Sequence, residues 1–120
     1  MLVIQLRVIW IKSINGEWLP FNNVDLSNVN DFGVYIIWHG GREGRVVRIG
    51  QGDVANRLQS HQADKEILAN QIYGPLYVTW ASIPLHQRGG VERYLAETYK
   101  PRVGVRFPEE LPIVVNSPWE

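Results

Sequence analysis

Short runs of β-branched and aromatic residues, separated by clusters of glycine, asparagine and proline, dominate the chain. Such runs predict β-strands, because branched and aromatic side chains pack well on a pleated surface. We expect strands at residues 2–11, 33–38, 45–50 and 76–83, and a short one around 113–115. The glycine-rich stretch 39–44 joins the second run to the third and predicts an antiparallel hairpin.

Three further segments have the pattern of helices. Asp53 is suited to cap a helix at residues 54–62, because its carboxylate can accept a hydrogen bond from a free backbone amide. A second, short helix is predicted at 65–71. A third is predicted at 91–99, where apolar side chains four residues apart form a stripe that ends before Pro101. The order of the elements predicts an α+β fold, a small antiparallel β-sheet flanked by helices.

The length of 120 residues fits one domain. We expect a single domain made of an N-terminal strand and loop extension (1–31), a core (32–102) and a C-terminal tail (103–120). The absence of cysteine excludes thiolate zinc sites, iron–sulfur clusters and thiol nucleophiles. No run of residues approaches the ~18–20 apolar residues of a membrane span. We therefore expect a cytoplasmic protein with no membrane association.

The formal net charge is zero, which by itself does not favour a nucleic-acid partner. The charge is divided unevenly, however. Residues 42–106 contain ten basic and six acidic side chains, a net charge of +4, and the remaining residues together carry −4. The fold decides whether the central positive charges share one face.

Four features follow one another in the core. They are Gly33-Val34-Tyr35, Arg48-Ile49-Gly50 thirteen residues later, Arg57 and His61 on a predicted helix, and Glu92 eight residues before Lys100-Pro101-Arg102. Each motif is short, but their order, spacing and predicted secondary structure together resemble the GIY-YIG endonucleases. The resemblance covers residues 32–102 and implies a metal-dependent phosphodiesterase that acts on DNA.

The resemblance also implies roles for individual residues. Tyr35 would orient or deprotonate the attacking water, and Arg57 would stabilise the charge that grows on the phosphate. Glu92 would bind a single divalent cation, Mg²⁺ or another, since magnesium keeps several waters and needs few protein ligands. His61 lies where members often have a supporting polar residue, and Arg48 would be the cationic neighbour that helps Tyr35 to act.

The DNA contacts are expected on basic residues around this core. The candidates are Arg42 and Arg45 in the hairpin and Lys100 and Arg102 after the last helix. A domain without net positive charge attracts the phosphate backbone of DNA only weakly. A protein partner or self-association is therefore a further expectation.

The chain departs from the family pattern at two positions. Arg48 stands where the family's second name-giving tyrosine is expected, and Gly104 stands where many members have asparagine. Asn116, in the tail, is a candidate to supply the missing amide. One alternative is thus an impaired member that binds nucleic acid or protein without cutting. Another is an ordinary α+β interaction domain, in which Tyr35, Arg57 and Glu92 would point away from one another.

Overall fold

A four-stranded antiparallel sheet forms the centre of the structure, a computed structural model that describes residues 4–104 and 107–120. Its strands are β1 (Leu19–Pro20), β2 (Phe32–His39), β3 (Arg45–Asp53) and β4 (Leu76–Ser82). Their order across the sheet is β1-β4-β2-β3, which makes β3 an edge strand. The predicted α+β fold with a small antiparallel sheet is confirmed.

The predicted hairpin is present as β2 and β3. The two strands pair antiparallel, with Tyr35 opposite Gly50, and their register shifts between Ile37 and Trp38. Residues directly opposite each other in paired strands share a face of the sheet, so Tyr35 and Gly50 lie on the same face. This pairing fixes the position of Tyr35 relative to the free edge of β3.

Within the described residues, three α-helices accompany the sheet, namely α1 (Val54–His61), α2 (Lys65–Leu68) and α3 (Leu85–Tyr99). Asp53 caps α1 as predicted, and its side chain accepts a hydrogen bond from the backbone amide of Asn56. The predicted second helix is divided between α2 and a 3₁₀ helix at Ala69–Tyr73. No helix in the described parts of the chain is both long and apolar enough to cross a bilayer.

The sheet separates two hydrophobic clusters. On one face, Val34 and Ile36 of β2 pack with Val91 and Leu95 of α3. On the other face, Tyr35 and Ile37 pack in a cluster that includes Val54 and Leu58 of α1. The helices therefore cover opposite faces of β2 and β3.

The predicted N-terminal strand at 2–11 is wrong for the residues that the structure describes. From residue 4 onward this segment is extended, but its only bridge joins Leu6 to Val115. The side chain of Asn116 instead accepts a hydrogen bond from the backbone N–H of Val8 (2.7 Å) and donates one to its carbonyl (3.0 Å). The same single bridge replaces the short strand predicted at 113–115. A side-chain amide thus satisfies backbone groups that a neighbouring strand would otherwise pair.

The third helix begins six residues earlier than predicted, at Leu85 instead of residue 91. Gly89 and Gly90, the two residues before the predicted start, are buried inside the helix. A Cβ on Gly89 would lie 2.2 Å from a carboxylate oxygen of Glu110, and one on Gly90 would lie 2.6 Å from Ile113. The glycines allow the tail to pack against the helix, and this contact offsets their low helix propensity.

Candidate active site

Tyr35 lies in the centre of the hairpin with its side chain fully buried. Its phenol oxygen reaches the edge strand at Gly50, where a Cβ would lie 2.1 Å from that oxygen. Only glycine leaves room for the phenol at this position. The Arg48-Ile49-Gly50 motif therefore has a physical reason for its glycine, which is the close approach of Tyr35.

The phenol of Tyr35 is hydrogen-bonded to His61 of α1, with 2.6 Å between Oη and Nε2. Burial lowers the pKa of His61 to about 4, and the positive charges of Arg48 and Arg57 act in the same direction. The imidazole is therefore neutral at pH 7, and its Nε2 can accept the phenol proton. Burial also raises the pKa of the Tyr35 phenol, although Arg57 and Arg48 oppose this rise.

Two arginines approach the same pair of residues from different directions. Arg57 is exposed on α1, with its Cγ 3.9 Å from the Cβ position of Gly52 at the end of β3. Arg48 is half-buried on β3, and its Nη1 lies 2.5 Å from the Cβ position of Gly104. The guanidinium of Arg48 therefore occupies the space that a side chain at position 104 would need, which connects the two departures from the family pattern.

Glu92 belongs to α3, on the opposite face of the sheet from Tyr35, and is only 7% exposed. Burial raises the pKa of its carboxyl to about 7, against the effects of Arg48, Arg57 and the Gln51 amide. The same two arginines thus act on the pKa values of Tyr35, His61 and Glu92. Five of the six predicted catalytic residues therefore lie within electrostatic reach of one another around β3.

The Glu92 carboxylate is the candidate ligand for a divalent cation. Within the described residues, no group of three or more His, Asp or Glu side chains could hold a metal ion. Magnesium does not require such a cage, because it retains several waters and binds through one or two carboxylates. The carboxylate of Glu110 packs on Gly89, one turn before Glu92, and its charge further raises the pKa of Glu92. The residues present therefore fit a hydrated magnesium ion and do not fit a closed structural metal site.

Asn116 does not join this group. Its side-chain amide is hydrogen-bonded to both backbone groups of Val8. The backbone carbonyl of Asn116 accepts a hydrogen bond from Trp10 Nε1 at 2.8 Å. The hypothesis that Asn116 replaces the amide missing at Gly104 is therefore corrected. Asn116 holds the N-terminal segment against the tail.

The four predicted DNA-binding residues lie along the hairpin end of the β3 edge and beyond it. Arg42 is exposed in the turn between β2 and β3. Arg45 donates from Nη2 to the backbone carbonyl of Lys100, over 3.3 Å, which brings these two residues together. Arg102 already donates from Nε to Asn70 (2.8 Å) and lies over the ring of Tyr73. A phosphate could reach the Nε of Arg102 only in competition with Asn70.

Sequence reasoning missed two residues near Glu92. Gln51 follows Gly50 in β3 and, by strand alternation, faces α3. That alternation was a usable signal, since a polar residue at a helix-facing position calls for a polar partner. Glu110 offered no comparable signal, because its approach to α3 depends on how the tail folds back.

Comparisons of this chain with protein-family models, with curated proteins and with solved structures found no match. The resemblance to GIY-YIG endonucleases therefore depends on the motifs and on the arrangement of the residues that carry them.

Proposed function

We propose that this chain is a GIY-YIG-type endonuclease that hydrolyses DNA phosphodiester bonds with Mg²⁺ or another divalent cation. The observation that carries the proposal is the grouping of Tyr35, Arg48, Arg57, His61 and Glu92 around the free edge of β3. They come from two strands and two helices on opposite faces of the sheet. The interaction-domain alternative expected Tyr35, Arg57 and Glu92 to point apart, so their grouping argues against it.

The chemistry begins with the hydrogen bond between Tyr35 and His61. As water attacks the phosphorus, its proton passes to Tyr35 Oη while the phenol proton passes to His61 Nε2. This relay avoids a free tyrosinate, whose formation is opposed by the raised pKa of Tyr35. The bond from phosphorus to the leaving oxygen breaks, and that oxygen takes a proton from solvent.

The charge that develops on the phosphate requires cations in fixed positions. Arg57 is exposed and can donate two parallel hydrogen bonds to phosphate oxygens. Arg48 is held against Gly104 and adds a second positive charge beside Tyr35. Glu92, with Glu110 nearby, would hold the divalent cation, which supplies Lewis-acid stabilisation of phosphate and leaving-group charge when bound.

A plasmid-nicking assay with Mg²⁺ tests the proposal through Glu92→Ala. We expect the wild-type protein to nick the plasmid and Glu92→Ala to lose this activity. Glu97→Ala is the matched control, because Glu97 lies on the same helix but is exposed and paired with Arg93 at 2.6 Å. Equal nicking by wild type and Glu92→Ala would contradict the proposal.

The second candidate function is binding of nucleic acid or of a protein partner without cleavage. The observation that favours it is the contact between Arg48 and Gly104, because the space near position 104 is filled by a guanidinium where many members have an amide. The same assay separates the two candidates when it is run beside a DNA-binding measurement. Binding at low salt with no nicking under any divalent cation would favour this second function.

A further inference from the structure

A concave site separate from the candidate active site lies beside the first residues of β3. It is a cavity of about 540 Å³ between the β2–β3 turn and the C-terminal end of α3. Its apolar wall consists of Trp38, Tyr99 and Trp119. The ring of Trp119 stands edge-on to that of Trp38 (5.2 Å between centroids) and to that of Tyr99 (5.3 Å). We call this cavity the aromatic pocket.

The polar lining of the aromatic pocket includes a buried histidine. His39 is only 5% exposed, and its Nδ1 has no hydrogen-bond partner in the part of the chain that the structure describes. Burial, together with the positive charges of Arg102 and Arg45, lowers the pKa of this imidazole. The ring of His39 packs on that of Tyr73, with 5.3 Å between centroids, and lies on the opposite face of the sheet from Trp38, since neighbouring residues of a strand face opposite sides. The part of the pocket open to a ligand is therefore its aromatic wall, which suits a flat ligand with π-faces.

The rim of the aromatic pocket is basic and has little side-chain bulk. Gly40, Gly41 and Gly44 line it, so backbone is accessible on that side. Arg45 is also part of the lining, and its guanidinium is bonded to the carbonyl of Lys100. An aromatic site with adjacent cations matches a nucleotide, whose base stacks on aromatic rings while its phosphate contacts the cations.

The position of the aromatic pocket connects it with the candidate active site. Arg45 starts β3, and Arg48, Gly50 and Gln51 follow on the same strand. At about 3.3 Å per residue, the six steps from Arg45 to Gln51 span roughly 20 Å. Between them the backbone N–H groups of Arg102 and Val103 donate to the carbonyls of Val46 and Val47, so a single strand that crosses the active site would reach the pocket over the segment 102–104.

On the basis of the function proposed above, we propose that the aromatic pocket binds an unpaired base of single-stranded DNA. The base enters beside Trp119 and Tyr99, and the flanking phosphates contact Arg45 and Lys100. The preferred substrate is thus DNA with a single-stranded segment beside the cleavage point, and a continuous duplex is a poorer ligand.

The test measures binding of a fluorescein-labelled oligothymidylate by anisotropy at low salt, with EDTA present so that nothing is cleaved. Wild-type protein is compared with Trp119→Ala, and the oligothymidylate with a fully abasic oligonucleotide of the same length and charge. We expect roughly tenfold weaker binding in both comparisons, as one lost base–aromatic stack implies. The abasic comparison uses unaltered protein, so it does not depend on the folding of a variant.

Two further variants make the test specific to the aromatic pocket. Trp119→Phe keeps a ring, so it should bind the oligothymidylate nearly as well as wild type while losing the quenching of tryptophan fluorescence on binding. Phe32→Ala is the matched control, because it removes an aromatic side chain that is 50% exposed at the other end of β2. It should leave the affinity unchanged.

The outcomes separate the pocket from the nuclease. If the oligothymidylate binds but neither Trp119→Ala nor the abasic backbone weakens binding, the aromatic pocket is not a base site and the proposed function stands. If duplex plasmid is nicked and the oligothymidylate does not bind, the same conclusion holds. If there is neither nicking nor binding, both proposals are overturned.

Discussion

At the scale of single residues, the hydroxyl of Tyr35 is the group on which the proposed chemistry depends. Tyr35→Phe removes only the Oη atom and keeps the ring that fills the cluster around Ile37 and Leu58. We expect cleavage to fall by at least about 100-fold, the size of a lost proton-transfer contribution. The free energy of unfolding should change by only about 1 kcal/mol, although His61 Nε2 loses its partner.

Plasmid nicking and thermal unfolding, measured on the same preparation, check this prediction. Tyr94→Phe is the control, because Tyr94 is a partly buried tyrosine of α3 that lies away from His61. Full cleavage by Tyr35→Phe would remove Tyr35 from the mechanism, and His61 would lose its role with it.

Glu92 makes the stability of the protein depend on pH. Its pKa is raised from an ordinary value of 4.5 to about 7, so between these pH values the folded protein holds a proton that the unfolded chain has released. This contribution to stability is complete below pH 4.5 and is lost as pH rises through 7. At about 1.4 kcal/mol per pKa unit, it amounts to at most about 3 kcal/mol.

Glu92→Gln should therefore gain stability relative to wild type as pH rises from 5 to 8. The difference is measured by urea unfolding in EDTA. The comparison with wild type is necessary because His61, with its pKa lowered from 6.5 to about 4, makes stability rise with pH over that lower range. Parallel pH profiles for the two proteins would show that Glu92 is not held protonated in the fold.

At the scale of elements, the side chain of Asn116 helps to attach the N-terminal segment, beside the backbone hydrogen bonds of Leu6 with Val114 and of Ile11 with Trp80. Asn116→Ala removes both hydrogen bonds to Val8. We expect the free energy of unfolding to fall by about 1–3 kcal/mol, because the two backbone groups of Val8 lose their partner. Cleavage per folded molecule should not change, since Asn116 lies apart from Tyr35 and Glu92.

Thermal unfolding and a nicking assay run well below the midpoint temperature check this prediction. Ser117→Ala provides a nearby control in the tail, where the hydroxyl accepts only a local hydrogen bond from Trp119. A variant of Asn116 with normal stability but no cleavage would return this residue to the active site.

The sequence predicts those elements whose pattern is local. The alternation in β2 and β3, the glycine-rich turn and the Asp53 cap all act between near neighbours, so the hairpin and α1 were predicted correctly. The start of α3 and the state of the N-terminal segment were not, because both depend on contacts with the tail. Gly90 is tolerated in a helix because Ile113 packs on it, and Val8 is satisfied by a side chain from residue 116.

The candidate active site also contains residues that local patterns predict and residues whose position depends on tertiary packing. Tyr35, Arg48, Arg57 and His61 occupy the hairpin and the helix that follows it, elements that the local pattern predicts, whereas the meeting of these side chains was predicted through the family resemblance. Glu92 was placed only through the family resemblance. The roles of Gln51 and Glu110 beside it, and the separation of Asn116, follow from tertiary packing that no spacing rule contains.

At the scale of the whole molecule, a zero net charge is compatible with a locally basic edge. The positive residues exposed along the β3 edge and beside it include Arg42, Arg45, Arg57 and Lys100, and also Arg102, whose Nε is already bonded to Asn70. The acidic excess belongs to residues outside the stretch 42–106. The attraction to DNA that we propose is therefore local, and it is expected where the candidate active site and the aromatic pocket lie.

This distribution predicts how binding responds to salt. Four phosphate contacts give a slope of about −3 to −4 for the logarithm of duplex affinity against that of salt concentration. Arg45→Gln should reduce the magnitude of this slope by about 1, because it removes one contact. Arg7→Gln, which removes a charge outside the basic stretch, should leave the slope unchanged.

Anisotropy titrations between 50 and 200 mM salt measure both slopes. Over this range about four contacts predict a loss of affinity of roughly 100-fold. A slope near zero, or the same reduction from Arg7→Gln, would mean that total charge governs binding and that the basic edge does not.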